Sequence, residues 1–312
     1  MSVIVFGSLN MDLVARTPRL PGPGETLTGH NFETVPGGKG ANQAVAVARL
    51  GVPTAMVGRV GGDSFGRDLL RGLQESGVAC DRVLVDSSTH SGIAMIAVDD
   101  ASENTIILVP GANGRVDESD VARLAEILPQ ATALLLQLEI PLPMVVAAAK
   151  AAKAAGVTVI FDPAPAHPDL PLELFPLIDI ITPNQVETGQ LVGFPIPDLA
   201  TAQKAAVALH ERGVGTVITK LGKAGALCVT RGETFEIPTF PVQAVDTVAA
   251  GDSFNGGLAA GLAAGLTLRQ ATTQAAAVAA LSVSKPGAQP SLPTRAELQA
   301  FLTERSVSLP GF

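Results

Sequence analysis

The 312-residue chain has no tryptophan and no tyrosine. It therefore lacks the ring platforms on which single-stranded nucleic acid usually stacks. Basic side chains are scarce as well: 21 Lys and Arg face 29 Asp and Glu, for a formal net charge of −8. That balance argues against nucleic acid or an anionic membrane surface as a main partner. The 2 cysteines, Cys80 and Cys228, lie far apart in apolar surroundings, which predicts two buried thiols and no disulfide. The longest uncharged stretches, 253–268 and 270–284, are too short and too rich in Gly, Thr and Gln for a membrane span. The opening run Met1-Ser2-Val3-Ile4-Val5-Phe6-Gly7-Ser8 has no basic leader and reads directly as a strand, so no signal peptide is expected and a cytoplasmic protein is. The four histidines are scattered, with no H-E-x-x-H and no paired cysteines. Zinc hydrolysis and a serine-hydrolase elbow are not expected, and no G-x-G-x-x-G dinucleotide fingerprint is present.

What is present is alternation. Short β-rich runs at Val3–Phe6, Thr54–Val57, Ala133–Leu136, Val157–Phe161, Ile178–Thr182 and Thr216–Thr219 are separated by Ala-rich or amphipathic stretches near 41–50, 64–76, 142–155 and 199–212. That order predicts an α/β domain over 1–312, with a Rossmann-like, mostly parallel sheet and helices on both faces. Ligands in such a sheet bind at the carboxyl ends of the strands. Two segments break the pattern. Residues 13–36 hold Pro18, Pro21, Pro23 and three glycines among short alternating runs, such as Glu25–Thr28 and His30–Val35. Residues 91–109 read as a hairpin turning at Asp99-Asp100-Ala101-Ser102. Neither contains a crossover helix, so both are expected to be antiparallel strands forming a small β lid that projects over the site. Surface decoration is the alternative.

The most informative run is Asp246-Thr247-Val248-Ala249-Ala250-Gly251-Asp252-Ser253-Phe254-Asn255-Gly256-Gly257. It reads as a small-residue turn opening a helix. The first N–H groups of a helix have no internal partner and attract phosphate, and Ala249, Ala250 and Gly251 leave them uncovered. Asp252 beside such an anion site repels phosphate. Its presence makes sense if it takes a proton from a hydroxyl attacking that phosphate. A plain N-cap is the other reading.

Further motifs accompany it. Asn10 and Asp12 alternate in an extended segment, so an amide and a carboxylate face one way, as two hydroxyls of a polyol require; an Asx-capped turn is the alternative. Pro36-Gly37-Gly38-Lys39-Gly40-Ala41-Asn42-Gln43-Ala44 opens a helix but is not a Walker A loop, because Gly40 replaces the hydroxyl residue after the lysine. Lys39 and Asn42 share its first turn. Asn184 and Glu187 fit either a capping box or a hold on hydrated Mg²⁺ and nucleotide phosphates. Lys220-Leu221-Gly222-Lys223-Ala224-Gly225 ends a strand in a tight turn whose backbone could edge a nucleotide.

In this order and spacing, from about Val3 to Phe301, the motifs resemble the ribokinase / phosphofructokinase-B carbohydrate kinase family, together with Gln137-Leu138-Glu139 and Lys285-Pro286-Gly287-Ala288-Gln289-Pro290-Ser291. The resemblance implies ATP-dependent phosphorylation of a sugar, D-ribose at its 5-hydroxyl in the branch that carries alanine at Ala249, and a homodimer formed through the β lid. Asp252 would be the base and Ala249, Ala250 and Gly251 the anion hole. Asn10, Asp12, Gly38, Lys39, Asn42 and Glu139 would contact the sugar. Asn184, Lys220, Gly222, Gly225 and Gly251 would face the nucleotide, with Glu187 holding Mg²⁺ through water. Asp246, Val248, Ser282, Lys285, Gly287 and Ser291 would hold a monovalent cation, K⁺. Lys220 departs from the threonine of many relatives, so it either pairs with a nucleotide phosphate or points away. Another small sugar or nucleoside (deoxyribose, fructose, adenosine) as substrate, or a non-catalytic sugar binder, are the alternatives to ribose phosphorylation.

Overall fold

The computed structural model describes residues 2–101, 103–167 and 169–310. Of the expected hairpin turn, Ser102 lies outside them. In chain order the elements are β1 (Ser2–Phe6), β2 (Asn10–Thr17), β3 (Asn31–Gly37), α1 (Lys39–Arg49), β4 (Thr54–Gly61), α2 (Ser64–Glu75), β5 (Val78–Asp86), β6 (Gly92–Asp99) and β7 (Asn104–Val109). There follow α3 (Glu118–Ile127), β8 (Ala131–Leu136), α4 (Leu142–Ala154), β9 (Thr158–Phe161), β10 (Ile180–Ile181), α5 (Gln185–Val192), α6 (Leu199–Glu211) and β11 (Thr216–Lys220). The chain closes with β12 (Ala226–Val229), β13 (Thr234–Ile237), α7 (Ala250–Ala263), α8 (Leu268–Val283) and α9 (Arg295–Glu304).

The large sheet runs β13-β12-β11-β10-β9-β8-β1-β4-β5, parallel except at β12 and β13. Strand side chains alternate between its faces, which predicts two cores. On one side Val3, Val5 and Leu135 join residues of α1, α2, α7, α8 and α9; on the other Ile4, Phe6, Leu134 and Leu136 join residues of α3, α4, α5 and α6. Chain order reverses across β1, which has β4 on one side and β8 on the other. The loops after β1 and β8 therefore diverge and leave a crevice at their carboxyl ends. Both thiols are buried and free. Desolvation pushes Cys80 up to about 11 and Cys228 to about 12, so neither is a nucleophile at neutral pH.

The second sheet runs β3-β2-β6-β7. Its β2–β3 and β6–β7 pairs are antiparallel as expected, but β2 and β6 pair in parallel, with Asn10 opposite Gly92. A parallel pair needs a crossover, and here the chain runs from β2 through its neighbour β3 and then through α1, β4, α2 and β5, which belong to the other layers, before reaching β6. Of the two short runs expected in 13–36, Glu25–Thr28 forms no strand and His30–Val35 falls largely within β3. No helix among the described residues is long and apolar enough to cross a membrane.

Candidate active site

Ala249 sits at φ 59°, a left-handed conformation uncommon for a residue with a side chain, and turns the chain directly into α7. Among the described residues no side chain caps this end. By contrast Asp63, Asp117, Asn184, Asp198, Thr267 and Thr294 cap α2, α3, α5, α6, α8 and α9. The N–H of Ala250 donates to the Thr247 carbonyl at 3.2 Å, whereas those of Gly251 and Asp252 meet no backbone acceptor among the described residues. The mouth of α7 is thus left open to an anion.

Asp252 is in the first turn of α7, not at its N-cap, and is 5% exposed. Its Oδ2 accepts from Asn42 Nδ2 at 2.9 Å and its Oδ1 from Gln43 Nε2 at 3.0 Å. The capping alternative is therefore overturned: both oxygens face α1. Burial pushes the Asp252 carboxyl above the usual range; Lys39 opposes that, Asp162 adds to it, and the two amides offset part of it.

Gln43 Nε2 also donates to Asp162 Oδ2 at 3.1 Å, and its Oε1 accepts from Gln137 Nε2 at 2.6 Å. Asp162 Oδ1 accepts from Lys220 Nζ at 3.1 Å. Lys220 does not point away: a Cβ built on Gly251 would lie 3.2 Å from its Nζ. The loop before α7 carries no cation, as the sequence says, but β11 brings this one from 30 residues upstream. Sequence reasoning gave Gln43, Gln137 and Asp162 no role. The position of Asp162 directly after β9, at the carboxyl edge of the sheet, was the available signal.

On the opposite wall, Glu139 Oε2 accepts from Ser8 Oγ at 2.5 Å, from the Lys39 N–H at 3.1 Å and from Asn10 Nδ2 at 3.3 Å. It thereby serves the first turn of α1, whose N-cap, Gly38, has φ 87° and lies so near β2 that a Cβ would come within 2.6 Å of the Asn10 nitrogen. Asn113, another residue the motifs did not reveal, donates to Asn10 Oδ1 at 2.7 Å and ties down the backbone of Leu9. Asp12 is on β2 two residues beyond Asn10. Burial, with Glu139 and Asp252 nearby, pushes its carboxyl up to about 7. For Lys39, burial works against the charge, but Asp252, Asp162, Glu139 and Glu187 outweigh it and hold the ammonium above the usual lysine range. The first turn of α1 joins the two walls: the Lys39 N–H donates to Glu139, and Asn42 and Gln43 donate to Asp252.

Asn184 and Glu187 form a capping box on α5, each side chain accepting from the other's backbone N–H at 2.8 Å. Glu187 uses only Oε2, so Oε1 has no hydrogen-bond partner among the described residues. Burial and then Asp162 raise its pKa, against Lys220, the Asn184 N–H and Lys39. The cap and a role toward a cation are therefore compatible. Gly222 and Gly225 adopt φ 56° and 91° in the turn after β11; Gly225 lies against β13, where a Cβ would meet the Ile237 carbonyl at 2.1 Å, while Gly222 faces open space.

Asp246 links two loops. Its Oδ1 accepts from the Val248 N–H and its Oδ2 from the Gly287 N–H, both at 2.9 Å. Ser282 and Ser291 hydroxyls lie 2.8 Å apart beneath them, and the Lys285 side chain turns away to Glu297. Lys285 thus offers this place its backbone only. One spacing escapes the sequence reading: Gly62-Asp63-Ser64-Phe65-Gly66 matches a nucleophile elbow, G-x-S-x-G. Ser64 merely begins α2, and no histidine bonds its hydroxyl among the described residues.

Residues 1–295 match the pfkB family carbohydrate kinases. A ribokinase from Haemophilus influenzae is 43% identical over 301 residues, which cover 96% of this chain and 98% of that protein. The chain belongs to the pfkB family of carbohydrate kinases. A ribokinase structure from Thermotoga maritima superposes with a TM-score of 0.90 at 38% identity, covering 97% of this chain and 99% of that one. The structure of Arabidopsis thaliana ribokinase complexed with ribose and ATP gives 0.89 at 36% identity, covering 96% and 98%. A carbohydrate kinase has to bring a hydroxyl, a base and a phosphoryl-binding surface together. In this member Asp252 is a buried carboxylate in the first turn of α7, beside its open mouth.

Proposed function

We propose that the protein transfers the γ-phosphoryl group of ATP to the 5-hydroxyl of D-ribose. The observation that carries this reading is Asp252: a buried carboxylate, held by Asn42 and Gln43, one residue from the free N–H of Gly251. Asn10, Asp12, Gly38, Lys39, Asn42 and Glu139 bind the sugar and present its terminal hydroxyl. Asp252 takes the hydroxyl proton as the oxygen attacks phosphorus in line, and its raised pKa brings its basicity nearer neutral pH, where a general base works best. The amides around Ala249, Ala250 and Gly251 face the charge that grows on the transferred group and need no rearrangement at that moment. Asn184, Lys220, Gly222, Gly225 and Gly251 form the nucleotide side.

The residues present fit two cations. Glu187, with one free carboxylate oxygen, suits Mg²⁺ held through water, which would neutralise nucleotide phosphates. Asp246, with Val248, Ser282, Lys285, Gly287 and Ser291 on the two loops it joins, suits K⁺, which would stiffen the turn leading to Ala249. We also propose a cytoplasmic homodimer formed through the four-stranded sheet acting as lid. Phe32, Met95, Ile106 and Ile107 support it, each more than half exposed on that sheet.

ATP turnover on ribose, 2-deoxyribose, fructose and adenosine, with products identified by ³¹P NMR, tests the reading. Ribose is expected to lead in kcat/KM by roughly tenfold or more, because an absent hydroxyl leaves buried acceptors unpaired. Preference for adenosine would move the chain to the nucleoside kinases, and no turnover on any sugar would make it a binder.

A further inference from the structure

Asp162 performs no step in the reaction above, yet it is a second carboxylate buried beside the first. It is 1% exposed. One oxygen takes the Lys220 ammonium and the other takes a hydrogen of the same Gln43 amide that binds Asp252. Gln43 is fully used, since Gln137 fixes its oxygen. The amide cannot turn over without giving two carboxylates an acceptor in place of a donor. Lys220 lies against Gly251, but its ion pair is with Asp162, and Asp252 makes none among the described residues.

We propose, taking Asp252 as the base, that Asp162 is a positioning residue: it holds Lys220 at the mouth of α7 and off Asp252, and through Gln43 fixes the orientation of that base. The physical need is plain. A lysine close to the phosphoryl site helps transfer, but the same lysine on the base would oppose protonation and quench it. Asp162 gives Lys220 a different partner and leaves Asp252 with neutral donors only. The other charged groups acting on this site are Lys39 from α1, Asp12 from β2, Glu139 after β8 and Glu187 from α5. They are the same in every variant below.

The test follows the carboxyl ¹³C resonance of Asp252 against pH in the ligand-free, aspartate-labelled full chain, assigned by its loss in Asp252→Asn. This readout needs no turnover, so a chain inactive on sugars would fail the kinase reading and still decide this one. Asp162→Asn keeps an acceptor for Gln43 but releases Lys220, and the Asp252 midpoint is expected at lower pH than in wild type. Lys220→Met is expected to move it to higher pH. Asp162→Asn with Lys220→Met removes one charge of each sign and is expected to return it close to wild type. In active protein the acidic limb of kcat/KM follows the same order. A midpoint unmoved in the single variants, or a double variant displaced as far as Asp162→Asn alone, would overturn the proposal. If Asp162→Asn fails to fold by its thermal melt, Lys220→Met carries the test with the opposite sign.

Discussion

The side-chain nitrogen of Asn42 stands 2.9 Å from Oδ2 of Asp252, although the two residues are 210 positions apart in the chain. Small residues bring them together. A Cβ on Gly256 would lie 2.4 Å from that of Ala46, and one on Gly257 or Gly261 would crowd α8. The glycines therefore let α7 settle between α1 and α8 at backbone distance. Its first turn then meets the polar first turn of α1, where Asn42 and Gln43 reach Asp252.

Replacing Asp252 with Asn preserves size and leaves a partner for one of the two amides, but removes the proton acceptor. The expected result is a kcat lower by roughly a hundred- to ten-thousandfold, with ribose still bound by calorimetry. A variant that keeps most of its kcat would show that Asp252 is not the base.

Glu187→Gln separates two roles of one side chain. The glutamine oxygen can still accept from the Asn184 N–H, so the capping box and the melting temperature should hold, with a change under about 1 kcal/mol. The lost charge should raise the Mg²⁺ concentration needed for half-maximal activity. An unchanged Mg²⁺ requirement would leave Glu187 as a cap only.

Asp12 makes stability fall with pH. Its carboxyl is raised from an ordinary 3.8 to about 7, with burial as the main cause. Between those values the folded chain holds a proton that the unfolded chain has lost, so the contribution is complete below about 4 and disappears as pH rises through about 7. Urea midpoints without sugar at pH 5 and pH 8 check it. The wild type should lose ground to Asp12→Asn at the higher pH, and parallel profiles would refute the assignment.

The two loops joined by Asp246 predict a response to monovalent cations. With Mg²⁺ and ATP present, rates should be highest in K⁺, at least severalfold above matched ionic strengths of Na⁺ or a large organic cation, because the proposed ion would act by preorganising the turn into α7. Asp246→Ala should remove the difference. Equal rates in all three salts for wild type would exclude the ion.

Local chemistry was legible without coordinates. The order of β runs and amphipathic stretches implied a parallel sheet with two covered faces, since a period of two and a period near 3.6 are written in neighbouring residues. The Asn184–Glu187 box and the open turn at Ala249 were readable for the same reason. The parallel β2–β6 pair was not, because its crossover runs through the other layers. Residues 91–109 alone look like an independent hairpin.

The sequence by itself determined the fold class, the helix mouth and the carboxylate beside it, because each depends on residues a few positions apart. Only the tertiary structure decided that Lys220 pairs with Asp162, that Gln43 holds two carboxylates and that Asn113 ties down Asn10. Those contacts join segments from 58 to 209 positions apart. A hydrogen bond spans about 3 Å, and whether two distant side chains meet at that range is set by helix packing and strand order, which no local pattern records.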